Sequence, residues 1–467
     1  MLTRRSLAPL LALLTAACEQ GGNLAYYDVE IVDTTGEFPV DDGTITVTVK
    51  HNGETLACDD GRCTTDIRDG AFTDPLELPL ESFAGSTEIA LELSEGAARW
   101  IGATPPFQPY GELIDVTARV RVVVGPPSSC HPLTLEGFVT GDPPTLDPPR
   151  ANAAAVVRRN LVYLAGGVEI DGTADDHITR FDQLLFHTDS LQSWNDPEDI
   201  GAARGLSISE DVSVVVGDEG SFVLKRDPSG PPRVERLGLH PGAGFASAVV
   251  ELPSGGAVIG GRATRGISWI SAQGLADTGE ALEVERTAPV AARLGDGILV
   301  VGGHTEAQPA AEWLRISGSG ASLDLPSLPV ASGGVLFPSP DGTAALWIGY
   351  LEAGGPSAST ALIRCDDGGE CTAEPGPVTW DRARADFASV ITAEGVLWLA
   401  GGEIEGEATT HVDLVRWEGG APRIEAGPNL PVANAGAVAF EHAAGAVTIA
   451  GGRDIEGRLV MCFPSAP

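Results

Sequence analysis

Val396-Leu397-Trp398-Leu399-Ala400-Gly401-Gly402 is an apolar run that stops on two glycines, and it has relatives along the chain. Leu161 to Gly167 reads LVYLAGG, Ala257 to Gly261 AVIGG, Ile298 to Gly303 ILVVGG and Ala446 to Gly452 AVTIAGG. Two worn copies, Val212 to Gly217 (VSVVVG) and Ala345 to Gly349 (ALWIG), fill the gaps. The first glycines stand at 166, 217, 260, 302, 349, 401 and 451, spaced 51, 43, 42, 47, 52 and 50 residues apart. Self-similarity at a period of roughly 40–50 residues marks a propeller or a solenoid. Each unit is then one supersecondary element, and seven copies predict seven units.

The sixth unit shows the pattern most fully: Phe387 to Thr392, Val396 to Gly402, the loop Glu403 to Thr410, His411 to Trp417, and Pro422 to Ala426. Gly427-Pro428-Asn429-Leu430-Pro431 leads out of it. The unit resembles a kelch repeat, whose marks are the double glycine, an aromatic in the third strand and a tryptophan in the fourth. Trp417 and Trp194 fill those two slots, and the resemblance covers about two-thirds of the chain. It implies a seven-bladed propeller, with Arg204, Arg293 and Arg384 as candidates for the basic residue entering a blade. Glycines in the innermost strands would let crowded backbones approach around the axis. The seventh unit lacks a fourth strand, while His131 to Phe138 is spare. Placing that segment as the outer strand of blade seven closes the ring without an open edge. The same placement brings Cys130 to Cys462 for a disulfide.

Composition agrees with an all-β chain. Glycine (59) and proline (34) are abundant, and no long stretch carries an apolar stripe at helical spacing. Residues 25–125, ahead of the propeller at 130–467, alternate in strand fashion, most clearly at Val116, Ala118, Val120, Val122 and Val124 against Arg119 and Arg121. Period-two alternation of this kind predicts a small β-sandwich of immunoglobulin-like form, with Gly125 to Ser129 as linker. Sixty-five acidic residues against 29 basic ones give a formal charge of −36. Nucleic acid is excluded as a partner, because its affinity comes largely from Lys and Arg neutralising phosphates.

Arg4 and Arg5, a short apolar run from Leu7 to Leu14 and then small residues form a secretory signal over residues 1–17. Leu14-Thr15-Ala16-Ala17-Cys18 resembles a bacterial lipobox, which implies lipidation of Cys18, a tether over 18–24 and an address in the cell envelope. Glu19 after the cysteine favours the outer membrane. Six cysteines remain, an even number in an oxidising compartment. Cys58-Asp-Asp-Gly-Arg-Cys63 and Cys365-Asp-Asp-Gly-Gly-Glu-Cys371 each surround an Asp-Gly turn, so Cys58–Cys63 and Cys365–Cys371 staple hairpins. Zinc does not fit these spacings.

No catalytic constellation stands out. The eight histidines are scattered, no Gly-x-Ser-x-Gly elbow is present, and no helix follows the glycines as a phosphate-cradling site requires. What recurs is acid in the loops after the double glycines: Glu169, Asp171, Asp175 and Asp176 in unit one, Glu306 and Glu352 in units four and five. Glu403, Glu405 and Glu407 follow in unit six, and Asp454 and Glu456 in unit seven. A ring would gather these loops on one face. We therefore expect a non-enzymatic, monomeric, lipid-anchored platform that binds an envelope protein or glycan there. No cofactor is expected; calcium is the cation weighed, since it takes carboxylate oxygens. The alternative is a carbohydrate-active enzyme with paired carboxylates on the channel axis.

Overall fold

In a computed structural model the described residues are 23–465, apart from 36, 39–42, 57–62, 69–70, 73–75, 81–84, 96–97, 108–118, 135–143, 191–199, 227–231, 278–280, 304–309, 316–319, 324–330, 352–354, 367–369 and 454–456. Cys18, Trp194, Glu306, Glu352, Asp454, Glu456 and the Cys58–Cys63 pairing therefore lie outside the description. Among the described residues there is no helix, and thus none long and apolar enough to cross a membrane.

Seven antiparallel sheets form the ring, and in the first six the strands run in sequence order from the axis outward. Blade one is Ala154–Arg158, Leu161–Ala165, Ile178–Asp182 and His187–Ser190; blade six is Ala388–Ile391, Leu397–Ala400, Val412–Glu418 and Ala421–Ala426. Blade seven takes Val438–Glu441, Val447–Ala450 and Val460–Phe463 from the end of the chain and Ser129–Pro132 from before the first blade. The ring is closed as the strand count required, although the closing strand starts two residues before the predicted His131. Cys130 and Cys462 are directly opposed in that ladder and joined by a disulfide. Cys365 and Cys371 face each other and bond likewise across the outer hairpin of blade five.

The double-glycine strands are second from the axis, not innermost. They are the blades' cores: Leu397, Trp398, Leu399 and Ala400 are at most 1 % exposed, as a strand buried on both faces must be apolar throughout. The innermost strands are built from small residues instead. The glycines act where the second strand ends. Gly166, Gly401 and Gly451 have φ of 61°, 63° and 67°, and a Cβ there would collide with the carbonyl oxygen of Gly201, Asn434 and Arg150 respectively. Each of those carbonyls belongs to the connection entering the next blade. The following glycine then donates its N–H to the same oxygen: Gly167 to Gly201 at 2.7 Å, Gly402 to Asn434 at 2.7 Å and Gly452 to Arg150 at 2.8 Å. Close backbone approach does explain the glycines, but the approach is of the next blade's entry segment.

The upstream domain is a single curled sheet. Gly43–His51 pairs with both Cys63–Arg68 and Thr87–Glu95, so the sheet bends round a core of Val29, Ile31, Ile45, Val47, Ile89, Leu91, Val120 and Val122. The two predicted leaves are halves of one sheet. Its first strand, Asn23–Asp33, begins inside the stretch read as tether and pairs in parallel with Arg119–Gly125. Nor do residues 125–129 space the domains apart. Gly125 lies against the Phe463 ring and Ser129 already begins the closing strand. Val32 and Val123, on the outer face of the sheet, share a cluster with Phe181, Phe186, Phe440 and Phe463 of blades one and seven. Arg121 donates from N–H to Leu184 O (3.0 Å) and from Nη1 to Leu185 O (2.9 Å). The domain thus docks on the side of the ring opposite the glycine loops.

Replacing Cys130 and Cys462 by alanine should lower unfolding free energy by about 2–4 kcal/mol, because that bond closes most of the chain into one loop. The same change at Cys365 and Cys371 should do less. Urea melts of the two variants decide the order.

Candidate binding faces and the channel

The loops that follow the second strands, together with the blade-to-blade connections, form one face of the ring. Its frame is a set of buried donors. Arg150, Arg286 and Arg384 each stand four residues before an inner strand and are at most 1 % exposed. Arg150 Nη2 donates to Leu164 O (3.0 Å) and Thr179 Oγ1 (3.1 Å), and Nη1 to Asp175 Oδ2 (2.9 Å). Arg286 Nη1 donates to Gly302 O (2.8 Å) and Nε to Glu312 Oε1 (2.9 Å). Arg384 bonds Gly401 O, Leu399 O and Asp413. In blade three His240 Nε2 meets Gly260 O (2.9 Å), and in blade seven Asn434 Nδ2 donates to Gly451 O (2.9 Å). The ladder diverges at these points, and a buried carbonyl without a donor is expensive; a side chain from the entry segment supplies it. Burial lowers the pKa of Arg150 and Arg286, and the carboxylate each is paired with opposes that.

Of the three arginines picked from the sequence, only Arg384 holds this position. Arg204 and Arg293 are exposed on inner strands, and Arg204 rests 4.7 Å from the Phe245 ring centroid. Arg150 and Arg286 went unrecognised. Their signal is a carboxylate opening the third strand or just before it, 25–29 residues on: Asp175, Glu312 and Asp413.

That geometry also removes Asp175 from the predicted acidic face, because it is 1 % exposed and spent on Arg150 and on His177 N–H (2.7 Å). Asp175, Asp176 and His177 bring ligand atoms within 4.8 Å of one another, but the Asp175 bonds already made leave this a structural triad. Asp171, Asp176, Glu405 and Glu407 are exposed on the face as expected. Glu403 is partly withdrawn, bonded with Arg453, which also reaches Asp386 (3.4 Å). At the centre of this face the channel opens into a cavity of about 390 Å³. Its wall is Ala153, Ala203, Ala288, Gly333, Gly436 and their neighbours, with Phe245 and Phe387 as the aromatics and Arg204 and Asp386 as the charged lining residues.

The opposite mouth, about 650 Å³, differs in chemistry. Ala155, Gly205, Val249 and Ala439 line both cavities, but here Glu251, Glu441, Arg159 and, from the small domain, Glu88 join the wall. Burial raises the carboxyl pKa of Glu251, Glu88 and Glu441, and for Glu441 the charges of Glu394 and Glu88 add to it. Beside them His442 is wedged between domains, its ring 5.3 Å from that of Phe186 and Nδ1 2.8 Å from Gln183 Oε1. Burial lowers its pKa to about 4.

No protein-family model and no curated protein matches the sequence. Among solved structures, one titled "Structure of YjhT" aligns with 68 % of this chain and 95 % of its own at 11 % identity and a TM-score of 0.41.

Arg286→Met leaves Glu312 buried without its partner and should cost about 3–5 kcal/mol in a chemical melt; Arg293→Met, on an exposed residue, should stay within about 0.5 kcal/mol. His442 has a folded pKa below its unfolded one, so its stabilisation is complete above pH 6.5 and is lost as pH falls toward about 4. Between pH 7 and 4.5 the native chain should lose about 2 kcal/mol more than His442→Gln does, by paired urea melts.

Proposed function

We propose that this chain is a lipid-anchored envelope protein whose propeller presents the glycine-loop face as a non-enzymatic binding platform. The observation that carries the reading is the channel mouth on that face. Its wall is alanine and glycine, which bare the backbone to an incoming chain, and exposed Asp171, Asp176, Glu405 and Glu407 stand on the loops around it. Such a surface suits recognition by shape, backbone hydrogen bonds and charge. Exposed Ile170 and Val432, 69 % and 48 % accessible, add apolar contacts on the same side. The kelch-like pattern of the repeats supports the same face, and the lipobox-like stretch ending at Cys18 supports the anchor.

A second reading, cleavage of a polysaccharide, draws on Glu251 and Glu441, two carboxyls on the channel wall whose pKa desolvation raises, the direction a general acid needs. They line the opposite mouth, beneath the small domain, where a polymer has less access.

The platform reading is tested by cross-linking the intact protein in its native envelope and identifying partners by mass spectrometry. A stoichiometric partner should disappear in Glu405→Gln/Glu407→Gln, and its binding to the purified chain should weaken with salt, as exposed charge pairs do. A partner retained in that variant sinks the reading. Release of polysaccharide fragments that stops in Glu251→Gln/Glu441→Gln would put the second reading in its place. Cys18→Ser should move the protein from the membrane to the soluble fraction; retention on the membrane rules out the lipid anchor.

A further inference from the structure

The small domain does not seal against the propeller everywhere. Beside the Ala443–Ala444 turn lies a cleft of about 480 Å³. One wall is the outer face of Thr87–Glu95 and Ala98–Ala103, presenting Ala90, Ile101 and Ala103; the other is Ala446, Phe463 and Pro464. Ala443 and Ala444 also line the domain-facing channel mouth, so the two spaces abut at that turn. Glu92, Arg99, Glu394 and Arg416 also line it, so this open gap between domains joins apolar walls to charged groups, a setting in which small-molecule sites are common and of the usual size.

The charge around this gap has one sign to spare. Glu88 comes from the small domain, Glu394 from the turn between the first two strands of blade six, and Glu441 from the end of blade seven's inner strand. Arg99 and Arg416 line the cleft itself but are engaged, with Glu92 at 3.0 Å and Glu425 at 3.1 Å, and Arg159 at the channel mouth is held by Glu210 at 2.5 Å. Lys50 eases the burial of Glu88; Glu441 accepts the N–H groups of Ala393 (2.8 Å) and Gly445 but has no cation beside it among the described residues and feels Glu394 and Glu88 as like charges. Three elements from two domains therefore bring mutually repelling carboxyls to the border of an apolar space. An anion would add to the repulsion, and a neutral apolar molecule would leave it standing.

We propose that the domain junction binds a small organic cation, its apolar body against Ala90, Ile101 and Phe463 and its ammonium group among Glu88, Glu394 and Glu441. The ammonium donates hydrogen bonds that carboxylates can accept and removes their repulsion, while the body covers apolar surface that water now wets. Contact with both domains makes the ligand a clasp across the junction. The site lies on the side of the ring opposite the platform and stands independently of it.

The probe is dansylcadaverine, an aromatic body carrying a primary ammonium, titrated into the full chain by fluorescence; dansylglycine, which ends in a carboxylate, is the control. Saturable one-site binding of dansylcadaverine alone is expected, at least about tenfold weaker in Glu394→Gln/Glu441→Gln, whose side chains keep their shape and lose their charge. Ala90→Trp, which fills the cleft from a strand position, should abolish it with the melting curve unchanged. Equal binding of the two probes, no saturable binding, or affinity unchanged in the Gln variant would each overturn the assignment. Should Ala90→Trp fail to fold, the isosteric Gln variant still decides.

Discussion

A carbonyl left over at the end of a strand is the constraint on which this ring depends. Where the second strand of a blade stops and the third has not yet begun, the ladder splays and buried oxygens face no N–H. Arg150, Arg286, Arg384, His240 and Asn434 all answer the same need with different chemistry. A guanidinium reaches two strands and brings a carboxylate to balance it; a neutral imidazole or carboxamide satisfies one oxygen and brings nothing. Because these side chains belong to the segment entering a blade, they fix the height at which the chain comes in. In blades seven, one and six the glycines then fix how closely the next entry segment passes. Side-chain donors inside a blade and glycine N–H groups between blades thus set one geometry.

Much of this was legible because glycine leaves a mark that survives sequence drift. No other residue tolerates positive φ together with a carbonyl at the place of its Cβ, so the pairs persist while surrounding apolar residues interchange freely. Ring closure was legible for a similar reason, a strand missing at one end and spare at the other. The arginines were harder. Arg204 and Arg293 lie near blade entries in sequence yet are exposed on inner strands, Arg204 against Phe245, and only pairing with a carboxylate one strand away separates a frame residue from a surface one. Asp175 shows the same limit from the acidic side, since in the sequence it is one more carboxylate in an acidic loop. Position relative to Arg150 is what buries it.

The small domain's strands turn their alternate residues inward, as at Val29 and Ile31 or Val120 and Val122, but two residues of the outer face are apolar as well. Val32 and Val123 break the alternation, and the reason is the propeller that covers them. Such breaks in a period-two pattern are where a second body docks. The two ends of the channel consequently have different neighbours: one opens among loops to solvent, the other beneath a domain. Burial at that junction raises the pKa of Glu88 and Glu441 and lowers that of His442, and none of that burial could be inferred from residues so far apart along the chain.

Ser129–Pro132 closes blade seven and is at the same time the strand by which the small domain hangs from the ring. Tension applied through the N-terminal domain therefore runs into an outer strand that would otherwise peel away from its neighbour, opening the propeller at its seam. The Cys130–Cys462 bond sits in that seam and turns a peelable edge into a covalent load path. A protein pulled from its first domain would bear the force at the last blade it completes, and the ring would stay shut.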